Sequence, residues 1–122
     1  MLQNELFTFT DLVAEGDIVK ANIKLDPLHP IFKGHFAGQP VLPGVCMMQM
    51  VKELLEVYIK KQTRLVKASD IKFLSVIIPE QDKLIQIVLK INFSDDMIKA
   101  DAQLLDNAVS LFKFKGTFER KL

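Results

Sequence analysis

The residues best suited to chemistry in this chain lie between positions 34 and 49. His35 is flanked by Gly34 and Phe36 in a segment rich in proline and glycine, a composition that favours a loop of defined shape. An imidazole titrates near neutral pH and is the usual general base of enzymes. His35 could therefore abstract a proton, although a single loop histidine is more often a surface or structural residue than a catalytic one.

The start of a helix directly follows this loop. Pro43 and Gly44 precede a stretch of helical periodicity, so the N–H groups of Gly44, Val45 and Cys46 are predicted to be free at the helix N-terminus. Such N–H groups, helped by the helix dipole, can hold a carbonyl or an oxyanion. Gln49, one turn further, can donate and accept hydrogen bonds but cannot transfer a proton at neutral pH. Its alternative place is the solvent-facing side of the helix.

The elements that must position these residues follow from the periodicity of the sequence. Two strands (residues 6–15 and 18–25) precede a loop of residues 26–44, and one helix runs from residue 45 to about residue 61. Because later segments alternate apolar and polar side chains, four further strands are predicted, at residues 65–78, 83–94, 97–105 and 108–119. This order predicts an α+β fold, a curved antiparallel β-sheet wrapped around one long central helix, in a single domain over residues 1–122.

The predicted helix has a wide apolar arc and a narrower polar stripe. Steps of 100° per residue place on the polar side Gln49, Lys52, Glu53, Glu56 and Lys60. The apolar side carries Met47, Met50, Val51, Leu54, Leu55 and Tyr58. Most of the helix is therefore expected to be buried. Glu56 and Lys60 are expected to pair one turn apart, and Cys46 is expected to be a buried, inert thiol, with a lowered pKa at the helix start as the alternative.

Composition and charge argue against several classes of protein. The chain has 122 residues, of which 49% are hydrophobic and 25% charged, as in a globular domain. Sixteen Lys and Arg balance fifteen Asp and Glu, which argues against a nucleic-acid binder. The single cysteine, Cys46, allows no internal disulfide and no Cys-rich zinc site. With no signal-peptide pattern or membrane span visible, we expect a cytoplasmic protein without a metal or cofactor, bound to neither membrane nor nucleic acid.

Residues 34–49 resemble the active-site motif of the 3-hydroxyacyl-acyl-carrier-protein dehydratases of fatty acid synthesis (FabZ/FabA-like), which have the hotdog fold. That family typically shows Gly-His-Phe-Pro-Gly-x-Pro, two residues, Pro-Gly-Val, three residues and a catalytic Glu, sometimes Asp. This chain keeps, at that spacing, Gly34, His35, Phe36, Gly38, Pro40, Pro43, Gly44 and Val45. A weaker match is Lys72-Phe73 followed by Pro79, where the family has a Lys/Arg-Phe strand ending in Pro-Gly-Asp.

The resemblance implies that water is removed from a 3-hydroxyacyl thioester to give a trans-2-enoyl thioester. His35 would be the base, the N–H of Gly44 or of its neighbour Val45 would polarise the thioester carbonyl, and Phe36 would contact the substrate. The carrier would be acyl carrier protein or coenzyme A. Because the two catalytic side chains of the family meet across a dimer interface, the resemblance also implies a homodimer, or a heterodimer with a dehydratase paralogue.

The chain departs from the family at the position of the catalytic acid. Gln49 stands where Glu or Asp is expected, Ala37 replaces a proline, and Glu80 replaces the glycine after Pro79. Loss of a general acid typically costs about 10²–10⁴-fold in rate. Glu53 is a possible substitute acid, since many family members have Gln there, although it lies about 6 Å further along the helix.

Three functions are therefore open. The match around His35 favours a dehydratase. Gln49 favours a catalytically impaired subunit or acyl-binding module that pairs with an active paralogue. A hotdog thioesterase comes third, because it needs a carboxylate to activate water. An acidic carrier protein would need a basic rim, for which sequence proximity offers Lys33, Lys60, Lys61, Arg64 and Lys67, with ordinary solvated side chains as an equally good interpretation. Acyl chain length and the choice among fatty acid, lipid A and polyene synthesis stay open.

Overall fold

The described part of the chain contains a single antiparallel sheet and one long helix. The computed structural model describes residues 2–33 and 39–121. In chain order its elements are β1 (Phe7–Glu15), β2 (Ile18–Leu25), a short 3₁₀ helix (Pro30–Phe32), α1 (Gly44–Ile59), β3 (Thr63–Phe73), β4 (Leu84–Ser94), β5 (Met97–Asp106) and β6 (Val109–Arg120). The predicted order of two strands, loop, helix and four strands is confirmed.

The six strands are hydrogen-bonded in the order β1-β2-β4-β5-β6-β3, and each neighbouring pair is antiparallel. Tight turns join consecutive strands where residues adopt the left-handed conformation, at Gly16 (φ 60°), Asp95 (φ 53°) and the Asn107–Ala108 pair (φ 47° and 67°). This order leaves β1 and β3 at the two edges of the sheet. The edge position of β3 matters below, because this strand lies beside the start of the helix.

The core forms between one face of the sheet and the apolar arc of α1. The sheet contributes alternating buried residues such as Ile87 and Leu89 of β4 and Phe112 and Phe114 of β6. The predicted apolar side of the helix is buried at Met47, Met50, Val51, Leu54 and Leu55. Each such side chain stabilises the fold by about 1.5–3 kcal/mol. Among the described residues, no helix is long and apolar enough to cross a membrane.

The helix ends slightly earlier than predicted, and one of its expected ion pairs is different. Lys60 takes the left-handed conformation (φ 59°), and its N–H donates to the carbonyl of Glu56 at 2.9 Å, which ends α1. The predicted pair of Glu56 with Lys60 is wrong. The Glu56 carboxylate instead accepts from Lys52 Nζ at 3.0 Å, one turn toward the N-terminus, since Lys60 has turned away from the helical path.

Strand β3 also ends before the predicted limit of residue 78. The N–H of Leu74 still donates to the carbonyl of Leu111, at 3.0 Å. Further on, the carbonyl of Ile77 accepts from the N–H of Leu42 at 2.8 Å. The chain therefore leaves the sheet after Phe73 and pairs with the segment that leads into α1. This pairing fixes the second stem of the loop in which the candidate site lies.

Candidate active site

Two predicted site residues, His35 and Phe36, lie outside the described residues. The loop that carries them is described up to Lys33 and again from Gln39. On the first side, the Nδ1 atom of His29 accepts from the N–H of Ile31 at 3.0 Å and caps the 3₁₀ helix. This hydrogen bond from Ile31 to His29 thus holds the stem of the loop in shape.

The start of α1 offers two N–H groups rather than three. Pro43 precedes the helix with an extended backbone, and its carbonyl accepts from the N–H of Cys46 at 3.0 Å. The prediction of a free N–H on Cys46 is therefore wrong. The N–H groups of Gly44 and Val45 belong to the first turn, where the helix itself supplies no acceptor.

A phenyl ring packs directly against the first residue of the helix. A Cβ atom placed on Gly44 would lie only 2.7 Å from Cε1 and 2.8 Å from Cζ of Phe73. The absence of a side chain at Gly44 therefore lets this ring pack closely on the helix start, and a larger residue would force the ring to move. The ring of Phe73 also packs against that of Phe112, with centroids 5.2 Å apart, although 55% of Phe73 is still exposed.

An apolar cleft opens at this end of the helix. It has a volume of about 490 Å³ and is lined by Leu42, Gly44, Met47, Phe73, Leu74, Ser75 and Val76. Apart from Ser75, the side chains that line it are apolar, and the positive end of the helix dipole lies at Gly44. An apolar chain ending in a carbonyl group fits this combination chemically.

Gln49 lies in a different cleft, which we call the lysine cleft. Its volume is about 450 Å³, and it is lined by Gln49, Lys52, Glu53, Glu56, Val57, Lys60, Lys61, Gln62 and Lys121. Gln49 is five positions after Gly44, which amounts to about 140° around the helix and about 7.5 Å along it. A single chain therefore does not bring Gln49 and the helix N-terminus into one cleft.

Glu53, the possible substitute acid, is fully buried rather than part of an exposed stripe. Its Oε1 accepts from the N–H of Gln3 at 2.8 Å and from that of Leu2 at 3.1 Å, and its Oε2 accepts from the N–H of Leu2 at 2.9 Å. Sequence reasoning missed these contacts because their partners lie about fifty residues away and are main-chain groups. No side-chain pattern signals them.

Two further groups in this region have shifted pKa values. Burial alone would raise the pKa of the Glu56 carboxyl, but hydrogen bonds from Thr63 and the nearby ammonium of Lys52 outweigh it and hold this pKa below its usual value. Burial raises the pKa of the Cys46 thiol, which agrees with the expectation of an inert thiol.

The basic residues suggested by the sequence separate into groups. Lys60 and Lys61 line the lysine cleft, and within the described residues neither has a carboxylate partner in ion-pair distance. Arg64 is paired with Glu119. Lys33 and Lys67 are exposed elsewhere, on the loop stem and on β3. The lysine cleft thus gathers only part of the predicted rim.

The family model described as ApeI-like, ApeI dehydratase, matches residues 12–116 of the chain. This chain belongs to the ApeI-like dehydratase family. Among known proteins, FabZ, a 3-hydroxyacyl-acyl-carrier-protein dehydratase of Nitratidesulfovibrio vulgaris strain DP4, is 37% identical over 60 residues, which cover 47% of this chain and 39% of that protein. FabZ of strain Miyazaki F is 27% identical over 120 residues, covering 90% of this chain and 70% of that protein. The match with FabZ of strain DP4 therefore covers less than two thirds of the length of that protein.

Solved structures give the fold of this ApeI-like protein. The dehydratase heterocomplex ApeI:P from Xenorhabdus doucetiae matches with a TM-score of 0.69 at 21% identity, over 93% of this chain and 98% of that one. An HP0420 homologue from Helicobacter felis matches with a TM-score of 0.68 at 9% identity, over 96% and 89%. These neighbours confirm the predicted hotdog fold, in which an antiparallel sheet packs on one long helix.

Proposed function

We propose that this ApeI-like protein dehydrates 3-hydroxyacyl thioesters of acyl carrier protein or coenzyme A to trans-2-enoyl thioesters. The observation that carries the proposal is the N-terminus of α1, where Gly44 lines an apolar cleft of about 490 Å³ and the N–H groups of Gly44 and Val45 belong to the first helical turn. The sequence Gly34-His35-Phe36 lies in the loop that leads into this helix. Membership of a dehydratase family supports the same reaction.

In the proposed reaction, His35 takes the proton from the carbon next to the thioester carbonyl. The electron pair of that C–H bond forms the new C=C bond, and the hydroxyl on the next carbon leaves as water after receiving a proton. The N–H groups of Gly44 and Val45 stabilise the negative charge that develops on the carbonyl oxygen. The apolar cleft holds the acyl chain.

Gln49 has a positioning role in this proposal. Its amide can hold the departing hydroxyl or a water molecule, but it has no proton to give near neutral pH. His35 must then both take the α-proton and return one to the hydroxyl. Because one general acid is missing, we expect a rate about 10²–10⁴-fold below that of a family member with a carboxyl at this position.

We also infer that the site is completed by a second chain. Gly44 and Gln49 line separate clefts, so a copy or a paralogue has to supply one of the two groups. The edge strand β3 and the segment after it expose apolar side chains at Val66, Ile71, Phe73, Leu74, Val76 and Ile78. An apolar, unpaired sheet edge is a typical interface. The neighbour described as the dehydratase heterocomplex ApeI:P supports a different subunit as the second chain, and a homodimer is the alternative.

The lysine cleft supports an acidic carrier as substrate partner. Lys60, Lys61 and Lys121 line it, and within the described residues none of the three is paired with a carboxylate. Their charge would attract an acidic carrier protein or the phosphates of coenzyme A. Carrier-protein thioesters and coenzyme A thioesters of the same acyl group should therefore be compared side by side.

The test is hydration of trans-2-enoyl thioesters of several chain lengths by the purified protein, followed as loss of the conjugated enoyl absorbance. His35→Ala is the blank. His29→Asn is the matched control, because Asn keeps an acceptor for the N–H of Ile31. Turnover by the wild type and the control, but not by the blank, supports the proposal. A wild type no faster than His35→Ala would overturn it.

The second candidate function is a non-catalytic subunit or acyl-binding module, and Gln49 is the observation that favours it. In that case, the protein would bind acyl thioesters without turning them over, and a dehydratase paralogue would supply the carboxyl. Co-purification with such a paralogue, together with activity present only in the mixed complex, would favour this function. Release of free thiol in the same assay would instead indicate a thioesterase.

A further inference from the structure

The buried carboxylate of Glu53 has main-chain partners at both oxygens. It accepts from the N–H groups of Leu2 and Gln3 at 2.8 to 3.1 Å, and its exposed fraction is 0%. Hydrogen bonds to an ionised acceptor are stronger than neutral ones, and a buried carboxylate without partners is costly. These contacts therefore fix residues 2–6, which we call the leading segment, to the helix.

The leading segment in turn contacts the first stem of the site loop. Within it, the carbonyl of Leu2 accepts from the N–H of Leu6 at 2.8 Å, which closes a turn. The carbonyl of Leu6 accepts from the N–H of Asp26, also at 2.8 Å. Asp26 directly follows β2 and begins the loop that carries His35. Because Leu6 is fully buried, this connection is anchored in the core.

Asp26 organises the loop stem beyond it. Its Oδ1 accepts from the N–H of Leu28 at 3.0 Å, and its carbonyl accepts from the N–H of His29 at 3.1 Å. A continuous series of hydrogen bonds therefore leads from Glu53 through the leading segment to the stem. The second stem of the loop, where the N–H of Leu42 donates to the carbonyl of Ile77, takes no part in this series of hydrogen bonds.

We propose that Glu53 is a positioning residue, which holds the leading segment and thereby the stem of the loop that carries His35. The part of this inference that concerns His35 rests on the proposed function, whereas the anchoring does not. A carboxyl that accepts N–H groups at both oxygens acts as an acceptor, whereas a general acid needs a proton directed at the substrate. This assignment therefore differs from that of a substitute acid.

The anchoring is tested by residue-resolved amide hydrogen exchange on the whole chain. Glu53→Gln replaces one acceptor oxygen by an NH₂ group that faces main-chain N–H groups. We expect exchange at Gln3 and at Asp26 to accelerate about tenfold or more, while Leu42 in the second stem is unchanged. Unchanged exchange at both Gln3 and Asp26 would overturn the proposal.

Glu56→Gln is the matched control, since it removes a carboxylate from the same helix. It should accelerate exchange at Thr63, whose N–H donates to Glu56, and leave Gln3 and Asp26 unchanged. Two variants at Gln3 test the anchoring even if Glu53→Gln does not fold. Gln3→Pro removes the N–H that donates to Glu53, whereas Gln3→Ala keeps it. Faster exchange at Asp26 in the proline variant alone supports the proposal, and equal effects of the two variants contradict it.

Kinetics separate positioning from proton transfer. If Glu53 positions the loop, Glu53→Gln should lower kcat about tenfold without a change in the shape of the pH–rate profile. If Glu53 is the acid, the variant should lose turnover and one limb of the profile while Gln3 and Asp26 stay protected, which would contradict the proposal. An inactive wild type would count against the proposed function only, because the exchange measurements test the anchoring without turnover.

Discussion

Glu56 joins the end of α1 to the start of β3, and its removal tests the structure quantitatively. Its Oε2 accepts from the N–H of Thr63 at 2.6 Å, from Thr63 Oγ1 at 3.1 Å and from Lys52 Nζ at 3.0 Å. Thr63 is fully buried. Glu56→Gln keeps the shape and one acceptor oxygen but removes the charge, so it changes mainly the strength of these three contacts.

The size of the effect follows from the number and kind of these bonds. A hydrogen bond to a charged group contributes about 1.5–3 kcal/mol and a neutral one about 0.5–1.5 kcal/mol, so each bond to Thr63 loses about 1 kcal/mol. The partly buried pair with Lys52 adds about 0.5 kcal/mol or less, as helix pairs one turn apart do. We therefore expect the free energy of unfolding to fall by about 2 kcal/mol near neutral pH, and Tm by about 8 °C.

Urea unfolding as a function of pH is the assay. The pKa of Glu56 is lowered from 4.5 in the folded state. The stability that this carboxylate contributes is therefore complete above about pH 4.5 and is lost as the pH falls through the lower, folded-state pKa. The difference between wild type and Glu56→Gln should shrink over this range. An equal difference at about pH 7 and about pH 3, or none at either, would refute the reasoning.

Three further predictions concern the clefts and the core. Gly44→Ala should force the ring of Phe73 away from the helix start. A crystal structure of the variant should therefore show a rotated ring, and the KM for the thioester should change severalfold. An unmoved ring would contradict the contact between Gly44 and Phe73. Replacing Lys60 and Lys61 together by Glu should raise the KM for carrier-protein thioesters about tenfold at low salt and much less at high salt; an effect independent of salt would exclude this role. Because burial raises the pKa of Cys46, alkylation of the native protein should be far slower than that of the urea-unfolded protein at the same pH, and equal rates would contradict burial.

Local patterns in the sequence were sufficient for most of the fold. Strands β4, β5 and β6 follow one another through tight turns, so their alternation and turn residues are visible within a few positions. The apolar arc of α1 likewise depends only on the helical period. The end of β3 could not be read in this way, because it is decided by pairing between Leu42 and Ile77, which are far apart in the chain.

The candidate site was predictable only in part. The motif around His35 and the helix start was visible in the sequence. That Gln49 and Gly44 line separate clefts was not predicted from the sequence and is shown by the structure. The surroundings of Glu53 were not visible. Its place on the polar stripe favoured exposure, whereas its partners are main-chain N–H groups about fifty residues away, which no side-chain pattern encodes.

The most direct test of a dehydratase site in this chain is the rate of enoyl-thioester hydration by Gln49→Glu relative to the wild type. The variant restores a carboxyl at the position where the family has its catalytic acid, and the double variant with His35→Ala is the control. We predict a gain of about 10²–10⁴-fold that disappears in the double variant. A Gln49→Glu protein no faster than the wild type, or a gain that survives the loss of His35, would contradict the proposed site.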